Sequence, residues 1–150
     1  MEYICPLCKT EGDIVQRITI ESLVNDHFKK HLKSSEYGLC KNPDCDIVYF
    51  NNETSEVYFQ RDIKVPVWYK NQENPIVCYC GNVTLKDIIE LVVEKQEVKT
   101  FQELVNATGA MKNCRCKTQN PSGKCCKEVL EDAFNYAISL ISDKPNQNLL

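Results

Sequence analysis

The sequence predicts an α+β chain in two parts: a small β domain with one inserted helix, then a small helical domain. Three observations carry that prediction. Runs of β-branched and aromatic residues mark residues 13–60, and helix-start signals followed by good helix formers recur after residue 83. The ten cysteines fall in five close pairs, at 5/8, 40/45, 78/80, 114/116 and 125/126, two pairs in the first half and three in the second. The polar, proline-containing stretch "WYKNQENPIV" reads as a connection between the halves. The expected domains are therefore 1–72 and 73–143, with 144–150 as a polar, frayed tail.

In order along the chain, "DIVQRITI" (13–20) predicts a strand, and "ESLVNDHFKKHL" (21–32) a helix with Leu23, Val24, Phe28 and Leu32 on one side. "DIVYFNNETSEVYFQ" (46–60) predicts a hairpin turning at Asn51–Ser55. Thr84 with Asp87 three residues on, and Thr100 with Glu103, form capping boxes that open two helices, the second ending near Gly109. A last helix is expected over about 123–142 with Ser122 as its N-cap. Val129, Ala133, Tyr136 and Leu140 make one apolar stripe on it, with Leu130, Phe134, Ala137 and Ile141 beside them.

Composition limits the function classes. The chain is 43% hydrophobic and 26% charged, ordinary for a soluble protein, and no stretch approaches the ~20 apolar residues of a membrane span. "MEYICPLCKT" lacks the basic and then apolar regions of a secretory signal, so a cytoplasmic protein is expected, with no membrane partner. A net charge of -3 argues against nucleic acid as a partner. No phosphate loop, dinucleotide fingerprint or Ser-His-Asp arrangement points to hydrolysis or group transfer.

Paired cysteines at short spacing in such a chain point to metal. Cys5-Pro-Leu-Cys8 and Cys40-Lys-Asn-Pro-Asp-Cys45 each sit on a turn, and two such knuckles make a tetrahedral thiolate site. Four thiolates leave no open coordination position, so this is expected to be a structural Zn2+ site in a zinc-ribbon-like domain. His27 and His31 lie one helical turn apart but are expected to be solvated rather than ligands.

The remaining six are Cys78, Cys80, Cys114, Cys116, Cys125 and Cys126. A C-x-C gap is unusual for structural zinc and suits a centre with more than one metal atom; four thiolates hold a [2Fe–2S] cluster. Two ferric ions, two sulfides and four thiolates carry a formal charge of about -2, made more negative by reduction, so positive surroundings are needed. Lys112, Arg115, Lys117, Lys124 and Lys127 lie among these cysteines with no acid over 112–127. They suit charge compensation or the docking of an acidic redox partner, although a solvated surface accounts for Lys127 alone. A helix N-terminus beside Cys125 and Cys126 would stabilise a thiolate.

"VCYCGNVT" followed by "TGA…C…NPSGKCC" resembles the N-terminal region of archaeal CopZ-type copper chaperones, across residues 1 to about 134. In that family a four-cysteine zinc domain precedes a helical [2Fe–2S] domain related to bacterioferritin-associated ferredoxin. The resemblance implies Cys78, Cys80, Cys116 and Cys126 as cluster ligands, with Cys114 and Cys125 as alternates. Cys5-Pro-Leu-Cys8 is not the family's M-x-C-x-x-C copper loop, since the Met and the following helix are missing. What the resemblance implies is a one-electron redox protein linked to copper handling. It would reduce Cu(II) to Cu(I), which is the enzymatic reading open to it, or supply electrons to a copper-carrying partner such as a separate chaperone domain. Two alternatives stand beside it: a Cu+-binding or storage module, since soft thiolates favour that ion, and a ferredoxin or scaffold in iron traffic.

Overall fold

The computed structural model describes residues 3–70, 72–110 and 115–148, with side chains described as far as residue 141. The chain divides into two compact units, Met1–Glu73 with Arg115–Lys124, and Asn74–Cys114 with Cys125–Leu150.

The first unit is built on a four-stranded antiparallel sheet in the order β1 (Asp13–Gln16), β2 (Glu36–Leu39), β3 (Ile47–Asn51), β4 (Glu56–Phe59). The β3–β4 hairpin turns where Asn51 Oδ1 accepts from the backbone N–H groups of Glu53 and Thr54, an Asx-type turn, and Ser55 takes a positive φ. All of β3 is buried, because the sheet is covered on both faces. One face packs Val15, Ile20, Leu23, Val24, Tyr37 and Leu39; on the other, Tyr3, Ile47 and Phe50 join Cys5, Cys40 and Cys45. A register shift between Ile47 and Tyr49 lets the consecutive Val48 and Tyr49 both join the first of these clusters.

Two expectations for this unit are corrected. The strand expected over 13–20 stops at Gln16, and Arg17–Leu23 forms a helix (α1). Thr19, Ile20 and Leu23 are its buried side, and Arg17 pairs with Glu21 at 2.7 Å, so burial at helical spacing overrides the β-branched composition. The helix expected over 21–32 is broken: Val24 is extended and bridges Ile63, and Asp26–His31 is a 3-10 helix with no buried residue. Later in sequence, Arg115–Lys124 adds a short helix, α4 (Cys116–Gln119). Thr19 Oγ1 donates to the Lys117 carbonyl at 2.6 Å, and the buried Tyr49 hydroxyl donates to the Pro121 carbonyl.

The second unit opens with a short hairpin, β5 (Ile76–Cys78) and β6 (Val83–Thr84), which the sequence did not predict. Both capping boxes are formed as expected. Thr84 caps α2 (Leu85–Ile89), which continues as one π-helical segment over Glu90–Glu94, and Thr100 caps α3 (Phe101–Thr108). Gly109 ends α3 with φ 74°, where a side chain would be strained. The last helix, α5, runs over Lys127–Asn148, so it begins later than expected and passes the end expected near residue 142. Leu130, Ala133, Phe134 and Ala137 are its buried stripe, packed with Val77, Ile88, Val92 and Leu104, whereas Tyr136 faces solvent.

Candidate metal centres

Local backbone geometry makes the two knuckles of the first unit. An Ile4–Glu11 bridge closes the first, inside which Cys5 N donates to Thr10 O and Lys9 N to Cys5 O, both at 2.9 Å. Lys9 takes a φ of 65° to complete the turn. The second knuckle leaves β2 at Cys40, whose N–H donates to Val48 O at 2.8 Å, and turns where Asp44 N donates to Asn42 Oδ1 at 3.0 Å. It re-enters the sheet just past Cys45. The sulfurs of Cys5, Cys8, Cys40 and Cys45 all lie within 4.8 Å of one another, with Cys5–Cys45 at 3.8 Å and Cys8–Cys40 at 3.6 Å. A zinc ion holding four sulfurs at about 2.3 Å needs tetrahedral edges of roughly 3.8 Å, so the donor set fits that ion.

The four thiols differ in environment. Burial pushes Cys40 up to about 12, with the Cys8 thiol adding to the rise while the Asn42 backbone and the Lys70 charge pull the other way. Cys45 is also raised, chiefly by burial. At Cys8, only half-buried, burial is outweighed by hydrogen bonds with Thr10, Cys40 and Asn42, and the thiol falls to about 6. Cys8 is therefore readier than Cys40 or Cys45 to take an ion as a thiolate. Behind the second knuckle, Tyr69 Oη donates to Cys40 O at 2.6 Å. The Lys70 ammonium donates to Asn42 O, Cys45 O and Ile47 O at 2.8, 2.9 and 2.8 Å.

In the second unit Cys78 ends β5, Cys80 lies in the β5–β6 turn, and Cys126 stands just ahead of α5. Cys126 Sγ and Cys78 Sγ are 3.2 Å apart, both buried; Cys80 is half-buried and Cys125 exposed. The Leu130 N–H donates to the Cys126 carbonyl at 2.8 Å, which makes Cys126 the N-cap residue of α5. The expectation that Ser122 caps this helix is thus corrected. Its Oγ donates to Asn120 Oδ1 at 2.8 Å and accepts from Lys124 N at 3.2 Å, inside a turn that precedes the helix. The physical reason is Gly123, whose φ of 70° is left-handed and breaks helical continuity before the cysteines. Neither of the adjacent cysteines lies within the helix, and the two differ instead by burial.

Residues 2–64 match the family model described as a zinc binding domain of CopZ, a span that contains both knuckles. The chain is 37% identical over 128 residues to the copper chaperone CopZ of Archaeoglobus fulgidus, an alignment covering 85% of this chain and 59% of that protein. It also superposes on the X-ray structure of the A. fulgidus CopZ N-terminal domain with a TM-score of 0.71 and 33% identity, over 86% of this chain and 95% of that one. The chain belongs to the CopZ family. It spans about 59% of the length of the curated CopZ it matches, and its fold is that of the CopZ N-terminal domain.

Among the described residues of this CopZ-family chain, the convergent four-cysteine group is the one formed by Cys5, Cys8, Cys40 and Cys45, as the spacing predicted. Of the other predicted residues, Cys78 and Cys126 are brought together, and Cys80 lies two residues beyond Cys78. Cys116 is buried as the first residue of α4, within the segment that belongs to the first unit. Cys114 and Lys112 lie outside the described residues. Arg115, Lys117, Lys124 and Lys127 are exposed, and Lys127 pairs loosely with Glu131 at 3.9 Å. His27 and His31 are exposed, with the His27 ring against Phe28. Sequence reasoning missed Tyr69 and Lys70, because "WYKNQENPIV" reads as a connection. The signal available was Val67 and Trp68 beside them, more apolar than a free linker requires. No helix among the described residues is long and apolar enough to cross a membrane.

Proposed function

We propose that this chain is a one-electron redox protein of copper handling, with a structural zinc held by Cys5, Cys8, Cys40 and Cys45 and a [2Fe–2S] cluster held by Cys78, Cys80, Cys116 and Cys126. The proposed functional halves are 1–72 and 73–143; within the latter, Arg115–Lys124 folds with the first unit. The observation that carries the cluster reading is the approach of two buried sulfurs, Cys78 and Cys126, at 3.2 Å. They sit at a strand end and a helix N-cap, where soft ligands are sheltered from water. The copper link rests on the name of the A. fulgidus relative, a copper chaperone.

A [2Fe–2S] centre bound there supplies reversible storage of one electron, and full cysteine ligation leaves no position for a substrate. The protein's own residues do the rest. The α5 N-terminus offers backbone N–H groups and a positive dipole end beside Cys126, which favours a thiolate at that atom. Val77, Val83, Leu130 and Phe134 exclude water from the same side. The exposed Arg115, Lys117 and Lys124 supply positive charge that steers an acidic partner into a weak, salt-sensitive encounter. A reduced cluster held by these cysteines would supply the one electron that takes Cu(II) to Cu(I), or that a copper-carrying protein requires. The zinc site fixes both knuckles against the sheet and takes no part in transfer.

The test is anaerobic purification followed by visible absorption, low-temperature EPR with and without dithionite, and assay of iron, zinc, copper and sulfide. A red-brown protein with a rhombic signal only after reduction is the expected result. Cys126→Ser should bleach it far more than Cys125→Ser, because only Cys126 is buried against Cys78. A colourless protein carrying copper and no sulfide would replace this reading with a Cu(I) store.

A further inference from the structure

Lys70 is 2% exposed, an unusual state for a lysine. Its three carbonyl acceptors, Asn42 O, Cys45 O and Ile47 O, match in number the three N–H donors of an ammonium; a neutral amine has only two. The ion pairs among the described residues give Lys70 no carboxylate partner. A buried charge without a counter-charge is costly, so something nearby must balance it. The three carbonyls bracket the second knuckle, and the adjacent Tyr69 hydroxyl holds a fourth carbonyl, that of Cys40, at its other end. The Lys70 charge acts on the Cys40 thiol of that knuckle, and one divalent ion on four thiolates keeps an excess charge of about -2.

We propose that Lys70 is a positioning residue of the four-cysteine metal site, where its ammonium locks the Cys40–Cys45 knuckle and offsets the negative charge of the metal–tetrathiolate. This rests on the zinc assignment above but not on the cluster. Tyr69 contributes the lock alone. Lys70 contributes lock and charge together, and it lies outside the span matched by the zinc-binding family model.

The experiment compares Lys70→Met, Lys70→Gln and Tyr69→Phe in the full chain. One readout is zinc transfer to a chelator; the other is the cadmium NMR shift after cadmium has replaced zinc. Loss of an outer partner of a metal ligand typically costs about 10- to 100-fold in affinity, and that range is expected for Lys70→Met. Lys70→Gln keeps two amide donors without the charge, and should move the cadmium resonance with Lys70→Met. Tyr69→Phe should weaken zinc less and leave the resonance near its native position. If Lys70→Gln retains zinc and keeps the native shift, the proposal is overturned, whether or not Lys70→Met folds. A wild-type chain that binds no zinc would instead remove the assignment beneath it.

Discussion

Replacing Tyr49 with Phe tests how the segment Arg115–Lys124, which carries Cys116 and leads into Cys125 and Cys126, is held. Tyr49 is fully buried on β3, and its hydroxyl donates to the carbonyl of the buried Pro121. Phenylalanine fills nearly the same volume, so the change removes a donor and little packing. The carbonyl left behind loses its partner away from water, a cost of about 1–3 kcal/mol. Expressed as an equilibrium, that loosens the segment about 5- to 150-fold. Thr19→Val should do the same at the other end by removing the 2.6 Å bond to Lys117 O. Hydrogen-exchange mass spectrometry of the Tyr49→Phe chain should show faster exchange over 115–124, with β2 and β3 changed less. Because the proposed cluster takes Cys116 from this segment, the yield of iron and sulfide should fall with it. Unchanged exchange over 115–124 and unchanged thermal stability would refute the reasoning, because a buried bond worth more than 1 kcal/mol cannot vanish silently.

Glu56 predicts an acid limb. Burial raises its carboxyl, but hydrogen bonds from Tyr37, Thr54 and Tyr58 and from the Lys33 backbone outweigh this and hold it below the usual range. A carboxyl depressed on folding gives stability that is present above its unfolded pKa and lost as pH falls through the folded value. Glu56→Gln should flatten that part of a melting-temperature profile and cost about 1.5–3 kcal/mol at neutral pH; an unaltered acid limb counts against it. At Gly38, an added Cβ would sit 2.6 Å from Phe50 Cζ and 2.7 Å from Tyr3 Cβ, in the cluster that walls the four cysteines. Gly38→Ala should cost about 1–3 kcal/mol in denaturant titrations and lower zinc retention with it. Chelation of zinc should collapse the near-ultraviolet tyrosine signal of the first unit while the far-ultraviolet helical signal persists, and the opposite order would show that the knuckles do not hold that core.

Much of this fold is legible because its signals are local. The Asn51–Ser55 turn, the Thr84 and Thr100 boxes and the Gly109 stop each depend on residues within a few positions of one another, and all are formed. The four-cysteine site is legible for a related reason: a knuckle is a short-range object, and the convergence of two is dictated by the ion's geometry. What escapes is set by distant partners. Arg17–Leu23 has strand-like composition and becomes helical because Thr19 and Ile20 meet surfaces formed far along the chain. Lys70 reads as linker polarity until three carbonyls close around it. The start of α5 is misplaced since Ser122 has good capping chemistry but spends it on Asn120.

The first unit is drawn from two stretches of sequence, Met1–Glu73 and Arg115–Lys124, and this has a consequence for synthesis. Tyr49 leaves the ribosome 72 residues ahead of Pro121, and Thr19 precedes Lys117 by 98. At about 5–20 residues per second, the nascent sheet waits roughly 4–14 s for the acceptor of Tyr49. Cys5, Cys8, Cys40 and Cys45, by contrast, have all been made before Cys78. The zinc knuckles can therefore capture their ion while the other thiols are still unmade, which keeps ten cysteines from competing for one metal. The same discontinuity makes exchange of the zinc half as a single cassette costly: a crossover after Glu73 delivers the knuckles but leaves Tyr49 and Thr19 without the carbonyls of Pro121 and Lys117.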